Sequence, residues 1–133
     1  MSGAWSDRPA IVAANLLYRL RGRPCRVSRA GEPGLFEARD IATGDMIYFC
    51  RRVRHRRYKR GIAHAVSGLA RQYLLDRLEL QPGGLFLDCG ANIGELGLWA
   101  RARGLSYFAV EPEALEARCC DLNNFAGAPT TLR

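Results

Sequence analysis

The second half of the chain alternates short apolar runs with segments of helical spacing. Residues 85–87 and 107–110 are apolar runs of the kind found in strands that are covered on both faces. After Gly94, apolar residues recur with a helical period, and a second helix is predicted over residues 113–123, with acidic residues in its first turn. The order strand, helix, strand, helix predicts the opening of a doubly wound α/β sheet.

The first half has a mixed pattern of helix and short strands. A helix is predicted over residues 9–21, since a proline suits its first turn and a glycine follows its end. Strands at residues 35–41 and 46–50 flank a turn sequence, which predicts a β-hairpin. We therefore expect an α/β fold in two parts, a small α+β region of helix and hairpin at residues 1–61 and the start of a larger sheet at residues 62–133.

A further helix is predicted over residues 62–80, where apolar residues recur at spacings of four, three, four and seven. Tyr73 lies on this apolar stripe, so packing in the core is its expected role. The sequence Gln-Pro-Gly-Gly then breaks the pattern before the first apolar strand of the second half.

Composition is typical of a globular protein, but the charge is concentrated in one segment. The 133 residues are 48% hydrophobic and 25% charged, with 20 Lys and Arg against 13 Asp and Glu and a formal net charge of +7. Residues 51–60, the basic segment, contain seven cations and no acid, so the rest of the chain is balanced at thirteen against thirteen.

Three roles remain open for the basic segment. It follows a predicted strand, in which alternate residues face opposite sides, so the cations are expected on two sides: Arg52, Arg54 and Arg56 against Arg51, Arg57 and Lys59. One of these sides either pairs with carboxylates of the domain or faces an anionic or sugar substrate. Nucleic acid is the least favoured partner, because Tyr58 is the only aromatic residue available for base stacking.

Two classes of protein are excluded. No window holds the roughly 18 uninterrupted apolar residues of a membrane span, and residues 11–18 make a poor signal peptide, so a cytoplasmic protein is expected. The five cysteines include no Cys-x-x-Cys pair, and His55 and His64 do not complete a zinc-ligand spacing. Free thiols and no metal site are therefore predicted, with His55 as a solvated surface residue.

The junction between the strand at residues 85–87 and the following helix carries the candidate chemistry. Asp88 ends the strand. Gly90 and Gly94 bracket the turn that follows, with Asn92 between them. Glycine is needed where backbone passes close to a ligand, and asparagine tolerates positive φ better than most residues. Glu111 ends the next strand, where an acid can accept hydrogen bonds from both hydroxyls of a ribose. This spacing predicts a nucleoside-containing cofactor at the carboxyl ends of the strands.

The residues around Asp88 favour S-adenosylmethionine over a dinucleotide. A dinucleotide site has the pattern G-x-G-x-x-G, which lets a pyrophosphate lie on a helix N-terminus. Here the pattern is D-x-G-x-N-x-G. A carboxylate before the first glycine repels a phosphate but pairs with a cationic amino-acid group. S-adenosylmethionine carries that group, a sulfonium and a ribose, and no phosphate.

Residues 86–95 resemble the DxGANxGE signature of the FkbM-type methyltransferases. Residues 109–112 and Asn123 look like the EPxP…LxxN motif of that family, and the basic segment resembles its arginine- and tyrosine-rich lead-in. The resemblance spans roughly residues 45–125. It departs from the family pattern at two helix positions, Ala114 and Cys120.

The resemblance implies a class I, Rossmann-like methyltransferase sheet, with S-adenosylmethionine as cofactor and a hydroxyl of a sugar or natural product as methyl acceptor. It assigns the cofactor to six residues: Asp88, Gly90, Ala91, Asn92 and Gly94 on the methionine side and Glu111 at the ribose. Glu95 matches as well, although an acid in the first turn of a helix also compensates the macrodipole. No catalytic base is assigned, and the acceptor is expected to be a small molecule or a glycan rather than a nucleic acid.

A class I sheet normally has seven strands, and this sequence predicts two, with residues 130–132 as the beginning of a third. We therefore expect residues 62–133 to form an incomplete Rossmann-like domain, the N-terminal part of a longer enzyme. The alternatives that remain open are an RNA or protein methyltransferase and a non-catalytic basic binding module or truncated remnant.

Overall fold

Helices and two small sheets make up the computed structural model, which describes residues 7–133. The elements are α1 (Asp7–Leu20), β1 (Cys25–Arg29), β2 (Phe36–Asp40), β3 (Met46–Phe49), a 3₁₀-helix (Arg52–Tyr58), α2 (Ile62–Gln72), a short 3₁₀ turn (Leu75–Arg77), β4 (Leu85–Cys89), α3 (Glu95–Arg101), β5 (Ser106–Val110) and α4 (Ala114–Asn124). The predicted mixed α/β class is confirmed at this level.

The first sheet is antiparallel, with the strand order β1-β2-β3. The predicted hairpin joins β2 to β3, and its turn is closed by Asp40, whose Oδ1 accepts hydrogen bonds from the amides of Ala42 (2.9 Å) and Thr43 (3.3 Å). Helix α1 lies against β1 through Asn15, whose side chain accepts from the Val27 amide and donates to the Val27 carbonyl, both at 2.8 Å. These contacts fix one side of α1 toward the sheet.

The second sheet pairs β4 and β5 in parallel, from Leu85 opposite Ser106 to Cys89 opposite Val110. Leu132 adds a single parallel bridge beside Val110, with backbone hydrogen bonds of 2.7 and 3.0 Å. The predicted third strand is therefore present as one bridge. The carboxyl ends of both strands lie at the same edge, as the parallel register requires.

One hydrophobic cluster contains residues of both sheets, so the region before residue 61 packs against the region after it. Asn123 of α4 accepts from the Tyr48 amide (2.8 Å) and donates to the carbonyls of Tyr48 (3.0 Å) and Ile93 (2.8 Å). Asn123 thus joins the hairpin to the second sheet's helices.

The five cysteines are all free, as predicted, and only Cys89 is exposed.

Four sequence-based expectations are wrong, and three of them concern the predicted helix over residues 62–80, Tyr73 and His55. The helix predicted over residues 62–80 ends at Gln72, because Leu74 adopts a left-handed conformation (φ 59°) and a 3₁₀ turn follows. Tyr73, expected in the core, is 63% exposed. His55 is half-buried rather than solvated, since its Nδ1 lies 2.7 Å from the Tyr18 hydroxyl.

The basic segment is also different from the expected extension of a strand. Arg52–Tyr58 form a 3₁₀-helix, so alternate residues do not face opposite sides and the predicted division of the cations is wrong. The physical reason lies outside the segment. Its cations contact carboxylates on three other elements, namely Asp7, Glu95 and Glu116.

Within residues 7–133, no helix has the length and apolar character needed to cross a bilayer.

Candidate functional site

A cavity of about 490 Å³, the site cavity, lies at the carboxyl end of β4. Its walls come from the end of β4, the turn that follows it, the 3₁₀-helix and the end of α2. Four of the six predicted cofactor residues line it: Asp88, Gly90, Ala91 and Asn92. Gly94 and Glu111 do not line it and act from behind the turn.

The turn between β4 and α3, residues 90–94, has the backbone that its sequence predicts. Gly90 has φ +78° and Asn92 has φ +54°, both in the left-handed region. A Cβ added at Gly90 meets no atom within 4 Å, so this glycine faces open space on the cavity side. Glycine at position 90 therefore permits the left-handed backbone conformation and leaves the cavity side of the turn open to a ligand.

Every backbone amide of this turn donates inside the protein. The amides of Gly90 and Ala91 donate to the Val110 carbonyl, at 2.8 and 3.0 Å. The Asn92 amide donates to Glu111 Oε2 at 2.8 Å. The remaining two, at positions 93 and 94, donate to Asn92 Oδ1 and the Ala91 carbonyl, both at 2.9 Å. A phosphate-binding loop needs free amides, and this turn offers none.

Glu111 holds the turn from below. Its carboxylate is 7% exposed and accepts from two backbone amides, Asn92 at Oε2 (2.8 Å) and Glu113 at Oε1 (2.9 Å). Each carboxylate oxygen has a second lone pair, so two acceptor positions are left. The sequence predicted a ribose contact here; the structure adds a positioning role, which the spacing alone did not reveal.

Asp88 is a half-buried carboxylate in the wall of the site cavity. The Tyr107 hydroxyl donates to its Oδ2 at 2.8 Å. Burial raises the pKa of Asp88 and the Glu111 charge adds to this, while the Tyr107 hydrogen bond acts in the opposite direction. Among residues 7–133, no cation lies within ion-pair distance of Asp88 or Glu111. This part of the site is therefore negative and uncompensated.

Gly94 faces α4 rather than the cavity. A Cβ at this position would lie 2.7 Å from Cys120 Sγ, closer than packed atoms approach, and φ is +79°. The Gly94 carbonyl accepts from Asn124 Nδ2 at 3.0 Å. This glycine lets α4 approach the start of α3, so its effect on the cavity is through the position of the turn.

Glu95 is the centre of a buried cluster that sequence reasoning missed. Its carboxylate is 5% exposed and accepts from Tyr58 (2.6 Å), Arg54 (2.9 Å) and Arg57 (3.3 Å). Burial lowers the pKa of the Arg54 guanidinium, but the contacts with Glu95 and Tyr58 together outweigh burial, so the pKa is raised. Burial and the same carboxylate raise the pKa of Tyr58, so the phenol stays protonated and donates. The available signal was seven cations without an acid, which need partners elsewhere.

This cluster brings the basic segment to the site. Arg54, Arg57 and Glu95 all line the site cavity, together with the exposed Tyr73. Four of the seven cations of the segment pair with carboxylates: Arg51, Arg52, Arg54 and Arg57. Structural pairing, one of the three roles left open, is thus observed for these four, and two of them also lie in the wall of the cavity.

Comparisons of the chain with protein-family models, curated proteins and solved structures give no match. In the part of the chain that the structure describes, no three histidine, cysteine or acidic side chains are grouped as a metal ion requires.

Proposed function

We propose that the site cavity binds S-adenosylmethionine and that the chain is the cofactor-binding part of an O-methyltransferase with a class I, Rossmann-like sheet. In this proposal β4 and β5 are the first two strands of that sheet. One observation carries it: the turn at the carboxyl end of β4 uses the amides of all its residues, 90–94, for hydrogen bonds within the protein, and a carboxylate without a paired cation, that of Asp88, lies beside it. A cationic nucleoside without phosphate suits such a site.

The residues present fit the cofactor group by group. Asp88 takes the cationic amino-acid end, and the backbone of Gly90, Ala91 and Asn92 lies against the ligand without a Cβ in its way at Gly90. Glu111 lies outside the cavity lining and acts on the ligand by keeping the turn in place, and its remaining lone pairs are the acceptors that this proposal assigns to ribose hydroxyls. When bound, S-adenosylmethionine supplies an electrophilic methyl group.

The acceptor side of the proposal rests on the opposite wall. Arg57 and Tyr73 are exposed at the cavity and present donors to a hydroxyl-rich small molecule or glycan. Methyl transfer depends on holding the acceptor oxygen in line with the methyl group. No residue is assigned as the base.

The free thiols suit a reducing compartment, and we place the activity in the cytoplasm.

Methylation of RNA is a weaker proposal for this chain. Phosphate contacts need available cations, whereas four of the seven in the basic segment are held by carboxylates. The alternative of a non-catalytic basic binding module is also disfavoured, because such a module does not need the carboxylates of Asp88 and Glu111 without paired cations beside a cavity.

Calorimetric titration tests the proposal with two ligands that share adenosine and differ in charge. S-adenosylhomocysteine carries an amino acid, whereas ADP carries a pyrophosphate. We expect the chain to bind S-adenosylhomocysteine with a micromolar Kd and to bind ADP at least tenfold more weakly, because the turn has no free amide for phosphate. Equal affinity for both ligands, or preference for ADP, contradicts the proposal.

A matched pair of glycine variants locates the binding in the turn. Gly90 and Gly44 both have positive φ, +78° and +82°, and at both a Cβ meets nothing within 4 Å. Valine therefore introduces the same backbone strain at each position, but only Gly90 lines the cavity. We expect Gly90→Val to abolish S-adenosylhomocysteine binding and Gly44→Val to preserve it, at similar losses of thermal stability. Binding that survives in Gly90→Val would remove this turn from the site.

The affinity should depend on pH through Asp88. Its pKa is raised, so it becomes protonated at higher pH than an exposed aspartate does. Only the ionised form attracts the ligand ammonium, so affinity falls as pH falls through that raised pKa, by up to about tenfold per pH unit. The Asp88→Asn variant is expected to bind weakly and with no such dependence. The same pH profile in both proteins would show that Asp88 does not contact the ligand.

A further inference from the structure

Helix α1 carries an apolar surface that points away from the protein core. Successive residues of a helix are rotated by about 100°, so Val12, Leu16 and Leu20 form one stripe along α1, with Leu17 beside it. Leu16 is 57% exposed and Leu20 is 77% exposed. The opposite side of the helix, which includes Tyr18, faces the protein. Helix α1 therefore has apolar residues on both sides, whereas an ordinary surface helix presents a polar side to solvent.

Cations border this apolar surface. A groove of about 510 Å³ separates α1 from the 3₁₀-helix and is lined by alanines of α1, by the exposed Val53 and by four cations: Arg21, Arg52, Arg56 and Lys59. Arg19 lies exposed on the other border of the stripe. In residues 7–133, neither Arg56 nor Lys59 lies within 4.0 Å of a carboxylate. Their charge is thus available to a partner.

The segments that build this surface contain almost no negative charge. Residues 8–31 and residues 46–75 include no aspartate or glutamate. The one acid of α1, Asp7, is held by Arg29 (2.7 Å) and Arg52 (3.1 Å). A partner with negative charge around an apolar centre is therefore complementary to the surface.

We propose that α1 lies on the surface of an anionic lipid bilayer. A helix of this kind places its apolar side chains at the boundary between headgroups and acyl chains, and its arginines reach the headgroup phosphates. The exposed apolar residues of α1, Val12, Leu16, Leu17 and Leu20, lie along a convex helix surface, which a fluid bilayer accommodates without a preformed groove. A nucleic acid fits less well, because its phosphates would face leucines at the centre of the surface. This attachment is peripheral and does not depend on the proposed cofactor.

Sedimentation with lipid vesicles tests the apolar part of the proposal. We expect the chain to bind vesicles of phosphatidylcholine with 30% phosphatidylglycerol at least tenfold more strongly than vesicles of phosphatidylcholine alone, with weakening at high salt. The double variant Leu16→Ser, Leu20→Ser should reduce binding at least tenfold. The control Leu74→Ser, Leu78→Ser changes two leucines outside α1 that are also more than half exposed, and it should bind as the unaltered chain does.

Charge reversal provides a second variant that leaves the leucines in place. Arg56→Glu, Lys59→Glu should lose the preference for anionic vesicles while circular dichroism stays unchanged. The proposal is overturned by equal binding to neutral and anionic vesicles, by no binding to either, or by unchanged binding of the leucine variant. It is also overturned if light scattering shows a dimer that the leucine variant dissociates, or if homopolymer RNA displaces the chain from vesicles and binds the leucine variant equally well.

Discussion

Replacing Glu95 by alanine is expected to lower the free energy of unfolding by about 3–5 kcal/mol, the usual cost of removing one partner from a buried ion pair. Glu95 accepts from two guanidiniums and one phenol, and Arg54 has only 12% of its side chain exposed. The substitution leaves the Arg54 charge buried without a counter-charge and the Tyr58 hydroxyl without an acceptor. Urea unfolding followed by circular dichroism measures the loss.

The control for this prediction is Glu79→Ala, which removes an exposed carboxylate. It should change the unfolding free energy by no more than about 0.5 kcal/mol. The variant Arg54→Ala, Glu95→Ala should lose less than the sum of the two single variants, because it removes the charge that Glu95→Ala strands. A loss below about 1 kcal/mol in Glu95→Ala would contradict the assignment of Glu95 as the link between the basic segment and α3.

The second large effect is expected at Glu111. Glu111→Ala removes the acceptor of the Asn92 and Glu113 amides, and hydrogen bonds to a charged group contribute about 1.5–3 kcal/mol each. We expect a loss of about 3 kcal/mol in stability and at least a tenfold loss of S-adenosylhomocysteine affinity, since the turn loses its support. Chemical unfolding and calorimetry measure the two effects on the same protein.

Glu113→Ala is the matched control for Glu111→Ala. Glu113 caps α4 by accepting from the amides of Leu115 (3.0 Å) and Glu116 (3.3 Å), and its removal should cost about 1 kcal/mol without changing affinity. Glu111→Gln should lose less than Glu111→Ala but still bind more weakly than the unaltered chain, because its amide oxygen can accept from one of the two backbone amides, whereas its amide nitrogen cannot accept from the other. Full affinity in either Glu111 variant would exclude this residue from the cofactor site.

Local patterns were sufficient for most of the elements. The apolar runs of β4 and β5, the glycine turn between them and the hairpin of β2 and β3 were predicted near their observed positions. Their signals are local, such as an apolar run, the positive φ at Gly90 or the Asp40 contacts in the hairpin turn, although the pairing of β4 with β5 joins residues about 20 positions apart. The sheet beyond two strands and one bridge stays a prediction.

One local irregularity, the end of α2, and several long-range contacts explain what the patterns missed. Tyr73 continues an apolar stripe, but the helix ends one residue earlier and leaves it at the cavity. The basic segment lacks acids of its own, and its conformation depends on Glu95, which is 38 to 41 residues away from Arg54 and Arg57. Gly94 was assigned to the ligand from its motif, whereas the structure shows its contact with α4, an element on the far side of β5 in the sequence.

The most direct test of a cofactor site in the β4–α3 turn is a ¹H–¹⁵N correlation spectrum of the chain titrated with S-adenosylhomocysteine. The proposal predicts saturable shifts of the Gly90, Ala91 and Asn92 amides, which border the cavity, and an unchanged Gly44 amide in the hairpin. The proposal would be contradicted if millimolar S-adenosylhomocysteine left the resonances of all three amides unchanged, or if it shifted resonances of α1 instead.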